Sequence, residues 1–185
     1  AKGPRLTIRV SRNAMSFSAP DAAAAGHIIY VQYPVKGGIS MAANLREAFV
    51  REPLLQGGLA RALVMVSTPV VFVPADHFRA GTETALYNHA VTEHEGDVVM
   101  FSVLTHLNAV ALFAVNRDLK TVVDDHFADA KWCHVCQPVW NYLHQRSYAG
   151  MRRKLYAYFY DRQLSLFSFA ENRFRFVNTF DGTNS

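Results

Sequence analysis

No apolar run in the 185-residue chain reaches the ~18 residues that a helix needs to cross a bilayer, and the opening AKGPRLTIRV has no apolar signal-peptide core. The expectation is a cytoplasmic protein with no membrane partner. Cysteine is scarce: Cys133 and Cys136 are the only two, too few for a disulfide framework. A dominant charge is lacking as well, since 19 basic and 15 acidic residues leave a net charge of +4. These charges are spread along the chain, which argues against the concentrated basic face of a nucleic-acid surface. The densest cluster, Arg152-Arg153-Lys154, reads as a solvated corner.

Recognisable catalytic spacings are also missing. No GxSxG elbow presents a serine nucleophile. His89 and His94 are five residues apart, which does not align two ligands on one helix face. Cys133, His134 and Cys136 offer part of a zinc site, without the second pair that would close a tetrahedron. Asp124-Asp125-His126 reads as a solvated helix end. No metal or cofactor is expected.

What the chain does have is apolar residues, 50% of the total, enough to bury a substantial core. They alternate. Residues 154–180, KLYAYFYDRQLSLFSFAENRFRFVNTF, read as three strands joined by two short turns. Residues 6–18, LTIRVSRNAMSFS, are a shorter copy of the same opening: Leu6, Ile8 and Val10 precede Ser11-Arg12-Asn13, as Leu155, Ala157 and Phe159 precede Asp161-Arg162-Gln163. Each set occupies one face of a half-buried hairpin. The intervening Tyr156, Tyr158 and Tyr160 then form an exposed aromatic ladder, free to pack against a partner or to be the second face of a central strand. Two similar hairpins imply a duplicated unit.

Between the copies, residues 27–35 supply a third strand, and Ser40 caps a helix carrying Ala43, Leu45, Ala48 and Phe49. Strands follow at 62–66 and 70–73. Pro74 and Asp76 suit the first turn of a helix over residues 75–90, interrupted by Gly81. Residues 93–97 are a polar joint, and 98–104 and 109–115 are strands about a turn. Asn116 caps a helix over 117–127 with Leu119, Val122, Val123 and Phe127 inward. A strand at 131–136 leads through Pro138 into a helix bearing Val139, Trp140 and Leu143, ended by Gly150. The class is α/β or mixed α+β.

Four phrases carry a resemblance: residues 16–18 (SFS), 72–78 (FVPADHF), 107–115 (LNAVALFAV) and 175–180 (RFVNTF). In order and separation they resemble a bacterial family of the Bacteroides group, a domain of unknown function with an actin-like ATPase, or ribonuclease-H-like, fold. The resemblance implies a mixed sheet with flanking helices and two similar subdomains. Residues 1–150 would be the first, with an inserted hairpin near 98–115. Residues 151–185 would be only the opening three-stranded meander of a second, leaving that half incomplete.

In active members of that superfamily each hairpin turn carries an Asp acting on the metal and small residues that let backbone N–H groups approach phosphate. Here the first turn is Ser11-Arg12-Asn13-Ala14, with neither Asp nor Gly. The second, Tyr160-Asp161-Arg162-Gln163, has the acid but no glycine. Asp161 therefore reads as a turn residue, and Arg12 and Arg162 as exposed cations able to attract an anion. ATPase activity is not expected. A two-metal ribonuclease-H-like mechanism needs converging carboxylates, and the strands carry almost none.

Trp132-Cys133-His134-Val135-Cys136 is the sharpest chemical motif, a CxxC at a strand-to-helix junction. A thioredoxin-like site would also need a later proline facing the thiols, and none follows Pro138. The leading expectation is a non-catalytic binding or scaffold module for a protein partner or the second half of the fold. Thiol-disulfide exchange by Cys133 and Cys136 is the alternative.

Overall fold

The computed structural model describes residues 3–92, 96–147 and 153–183. Strands β1 (Leu6–Val10), β2 (Met15–Pro20) and β3 (Ile28–Tyr33) form an antiparallel meander. β4 (Arg61–Val66) adds parallel to β1, and β8 (Asp129–His134) adds parallel to β4, giving the order β3-β2-β1-β4-β8. Crossover connections of this kind force helices onto the sheet face. Those helices are α1 (Met41–Arg51) and α3 (Arg117–His126). Leu6, Ile8, Val10, Phe17, Val64 and Val66 meet Leu45 and Ala48 of α1 and Leu119, Val122 and Val123 of α3 in one core.

Both helices begin where the sequence places them. Ser40 Oγ accepts from the Ala43 amide, and Asn116 Oδ1 accepts from the Leu119 amide, each satisfying a backbone donor that the first helical turn leaves free. The buried face of α1 is Ala42, Asn44, Leu45 and Ala48, one position off the expected stripe at Ala43. Asn44 is buried because its side chain bonds the Lys36 backbone at both N–H and C=O, fastening the loop after β3 to the helix.

A second sheet has the order β5-β7-β6, from β5 (Val70–Pro74), β6 (Asp97–Leu104) and β7 (Ala109–Asn116). The hairpin expected near 98–115 is thus completed by β5 into a sheet of three strands. The helix expected over residues 75–90 is not continuous. A single 3-10 turn at Ala75–His77 is followed by α2 (Glu83–Ala90), with Gly81 at φ +92° between them. Such a backbone is open to glycine and incompatible with a helix running through it. Residues 93–95 of the polar joint, and Gly150 and Arg152, lie outside the described residues.

The third sheet is the meander β11-β10-β9, from β9 (Tyr156–Tyr160), β10 (Gln163–Ala170) and β11 (Arg173–Asp181). It packs with α4 (Gln137–Ser147) and the near end of the second sheet around Trp140, Phe167, Leu104 and Phe72. Here the expected faces are exchanged. Tyr156, Tyr158 and Tyr160 pack against this core, whereas Leu155 and Phe159 are 64% and 71% exposed. Both faces of β9 are apolar enough to be buried, so alternation separates them without saying which is inward. The phenol groups decide it, because Tyr158 OH accepts from Arg9 Nη2 at 3.1 Å and the Arg9 guanidinium lies 4.2 Å over the Tyr160 ring. Among the described residues, no helix is long and apolar enough to cross a membrane.

Candidate functional site

The parallel strands β1, β4 and β8 end in register at Val10, Val66 and His134. Their carboxyl ends are stitched together by the Ser67 amide donating to Val10 O at 3.0 Å and the Val135 amide donating to Val66 O at 2.9 Å. A crevice at the carboxyl ends of parallel strands is where open α/β sheets place ligands, because the loops there diverge. The third sheet stands over this end. Between them lies a cleft of about 680 Å³, whose walls include Arg12 and Asn13, Ser67 and Thr68, His134, Asp161 to Gln163, and Thr179.

The two hairpin turns singled out in the sequence meet on one wall of the cleft. Asp161 Oδ2 accepts from Ser11 Oγ at 2.5 Å and from the Asn13 amide at 3.1 Å. Ser67 Oγ bonds Gln163 Oε1 at 3.0 Å beside them. The structure therefore brings Ser11, Arg12, Asn13, Asp161 and Arg162 together. The turns differ, however. The first is closed by the Ser11 amide donating to Ala14 O, while the second is a two-residue loop with Asp161 at φ 45° and Arg162 at φ 60°. Two successive positive values are what a tight hairpin's twist demands, and such positions usually carry Asn or Gly. The glycine here comes from across the sheet. The Gly182 amide donates to Arg162 O at 2.7 Å, and a Cβ at Gly182 would lie 3.1 Å from that oxygen.

Asp181, also on the cleft wall, is held below the usual carboxylate range first by the Thr183 hydroxyl and amide and further by Arg12. His134 is fixed at both nitrogens: Nε2–H donates to Thr68 O at 3.0 Å, and Nδ1 accepts from the Cys136 amide at 3.1 Å. Its ring stacks on Trp140 at 5.1 Å. Burial pushes its pKa down to about 4, partly offset by the Thr68 carbonyl. An imidazole so tied is a neutral brace across the ends of β4 and β8, without a free nitrogen for proton transfer.

Cys133 lies on β8 and Cys136 in the turn before α4. Both are free thiols in the core, and burial pushes each up to about 11, away from the depressed value that makes a thiol nucleophilic. Cys136 Sγ instead lies 3.8 Å from Ser165 Oγ of β10, part of the packing between α4 and the third sheet. Among the described residues, no group of three or more His, Cys, Asp or Glu side chains is placed to hold a metal ion.

Ser67, Thr68 and Gly182 escaped the sequence reading. The signal for the first two was their place just after the buried strand at 62–66, since a strand's carboxyl end is where a crevice opens. Gly182 gave none, because its partner is the Arg162 backbone oxygen in the β9–β10 turn.

A family model described as "Protein of unknown function (DUF3822)" matches residues 1–185. No curated protein matches the chain. A solved structure from Bacteroides thetaiotaomicron VPI-5482, described as a protein with actin-like ATPase fold and unknown function, superposes with a TM-score of 0.87 at 22% identity. That match covers 96% of this chain and 70% of that one. A PilM-PilN type IV pilus biogenesis complex superposes with a TM-score of 0.52 at 12% identity, over 97% of this chain and 62% of that one. The fold is actin-like, a mixed α+β arrangement as the resemblance implied.

Proposed function

The chain belongs to the DUF3822 family, and on that premise we propose that it is a non-catalytic binding or scaffold module built on an actin-like fold and acting in the cytoplasm. One observation carries this reading. The only acid in either hairpin turn, Asp161, is bonded to Ser11 and to the Asn13 amide. A carboxylate that would otherwise order a metal and its waters is engaged in latching one turn to the other. Arg162 stands where a phosphate would need a small residue, and Arg12 and Asp181 line the same cleft. Nucleotide binding is therefore not part of the proposed function, and no cofactor is assigned.

The proposed partner is a protein element. Residues 151–185 are assigned as the opening meander of a second subdomain, with residues 1–150 as the first. The remainder of that second half would cover the outer face of the third sheet, where Leu155, Phe159, Phe176 and Phe180 are exposed. An apolar sheet face is ordinarily buried by a second layer. A neighbour of the same fold is described as part of a PilM-PilN complex, which supports a role in assembly. Calorimetric titration with Mg-ATP tests the central claim. No heat of binding is expected, and micromolar affinity would overturn it.

Thiol-disulfide exchange through Cys133 and Cys136 is supported only by their spacing. Insulin reduction compared between wild type and Cys133→Ser decides it: equal rates remove the alternative, and a rate lost with the thiol restores it.

A further inference from the structure

Each sheet in this fold has two edges, and an edge strand offers unpaired N–H and C=O groups to any other strand. Most edges here carry a recognised protection. β8 bears Asp129 and Lys131, and β6 lies alongside it, with Ser102 Oγ donating to Trp132 O at 3.4 Å. β5 ends in Pro74 and follows Pro69. β9 is short, bounded by Lys154 and Asp161. β11 carries Arg173, Arg175 and Asp181, and its register with β10 is broken between Ser168 and Phe169.

β3 has Pro34 just after it, but within the strand none of these. Its sequence, IIYVQY, contains no charge and no proline, and its pairing with β2 runs without irregularity from Ile28 to Tyr33. Ile28, Ile29 and Tyr30 are 71%, 41% and 61% exposed. These three consecutive apolar side chains occupy both faces of an open edge. Ile29 lies on the face of Phe17 and the helices, and Ile28 and Tyr30 on the opposite one.

We propose that β3 is a self-association edge, pairing antiparallel with β3 of a second copy of this chain so that the five-stranded sheet continues through a twofold axis. The backbone of an open edge selects an extended strand as occupant. The absence of charge selects a second copy, because in a twofold antiparallel pair a charged residue near the axis meets its own like charge. A strand recognising a different protein would be free to use charges for specificity. An axis perpendicular to the sheet at Tyr30 sets Tyr30 opposite Tyr30 of the second copy, Ile29 opposite Val31, and Ile28 opposite Gln32, so every facing pair is uncharged. The proposal is independent of the reading of the cleft, which lies at the carboxyl ends of β1, β4 and β8.

Sedimentation velocity and light scattering of the 185-residue chain at about 100 µM, a concentration that populates micromolar dimers, test it. The expected mass is twice the 20.7 kDa of the chain. Tyr30→Lys alone and Tyr30→Glu alone should each be monomeric with unchanged circular dichroism, since the side chain projects into solvent. An equimolar mixture of the two should recover the dimer, because opposite charges then meet across the axis. Ile28→Lys, beside the axis, should weaken self-association at least tenfold. A monomeric wild type, a Tyr30→Lys variant that stays dimeric, or a mixture that stays monomeric overturns the proposal.

Discussion

Asp161 and Ser11, 150 positions apart in the chain, are joined by a 2.5 Å hydrogen bond, and the same carboxylate oxygen takes the Asn13 amide. This single acid ties the hairpin that opens the chain to the hairpin that opens its last sheet. Around it the contacts are of the same kind: Arg9 on Tyr158 and Tyr160, and Ser67 on Gln163. The third sheet is thus held to the first at one corner largely by polar bonds, and by apolar packing only farther along, around Trp140 and Phe167.

A double-mutant cycle on Ser11→Ala and Asp161→Asn measures the latch. A bond to a charged group at a partly exposed site contributes roughly 1 kcal/mol net. Each single substitution should cost about that much in urea denaturation, and the double should cost clearly less than their sum. Additive costs would mean that the two residues act separately and the corner is held by its neighbours.

Arg162 adopts φ 60° with a side chain ill suited to it. Replacing it by glycine removes the left-handed penalty of about 1–2 kcal/mol, less the entropy that glycine adds to the unfolded chain. A net gain of about 0.5–1 kcal/mol, read as a rise of ~1–4 °C in melting temperature, is expected. Gly182→Ala should act oppositely, because its Cβ would press on the Arg162 carbonyl oxygen at 3.1 Å. Equal melting temperatures for wild type and Arg162→Gly would show that the turn bears no strain.

The order of strands and helices was legible because the apolar periodicity changes cleanly from two to three-and-a-half, and because Ser40 and Asn116 sit where caps must sit. The paired turns were legible too, as two similar phrases. That Asp161 would spend its carboxylate on Ser11 was not, since nothing local ties residue 11 to residue 161. Nor was the helix break before α2, where Gly81 was visible but its left-handed conformation follows from the tertiary path. His134 was read only as part of a cysteine motif. Its role as a brace depends on the Thr68 carbonyl, on the neighbouring strand's exit.

His134 makes stability depend on pH. An unfolded histidine titrates near ~6.5, while burial holds this one down to about 4. Between those values the unfolded chain takes up a proton that the folded chain does not. Stability should be full above about pH 6.5 and fall as the pH drops toward 4, by roughly 3 kcal/mol over the whole window. Urea midpoints at pH 7 and 5 check this in wild type and His134→Gln. The variant starts less stable, having lost the bonds to Thr68 and Cys136, yet its midpoint should fall less between the two pH values. Parallel falls would place the titrating group elsewhere.

Tyr158 and Phe159 are adjacent on β9 and oppose one another in consequence. Tyr158 stacks on Tyr160, accepts from Arg9 and packs on the core shared with α4. Phe159 is 71% exposed on the outer face. Tyr158→Ser loses ring packing and a bond to a guanidinium, and should destabilise the chain by about 2 kcal/mol. Phe159→Ser removes a ring already in water and should stay within about 0.5 kcal/mol of wild type. The same variant should bind less of a hydrophobic dye, since the outer face is where the apolar surface is open. The opposite ranking in urea denaturation would return Tyr158 to the solvent face and place Phe159 in the core. It would also remove the apolar face on which the proposed docking of a second half depends.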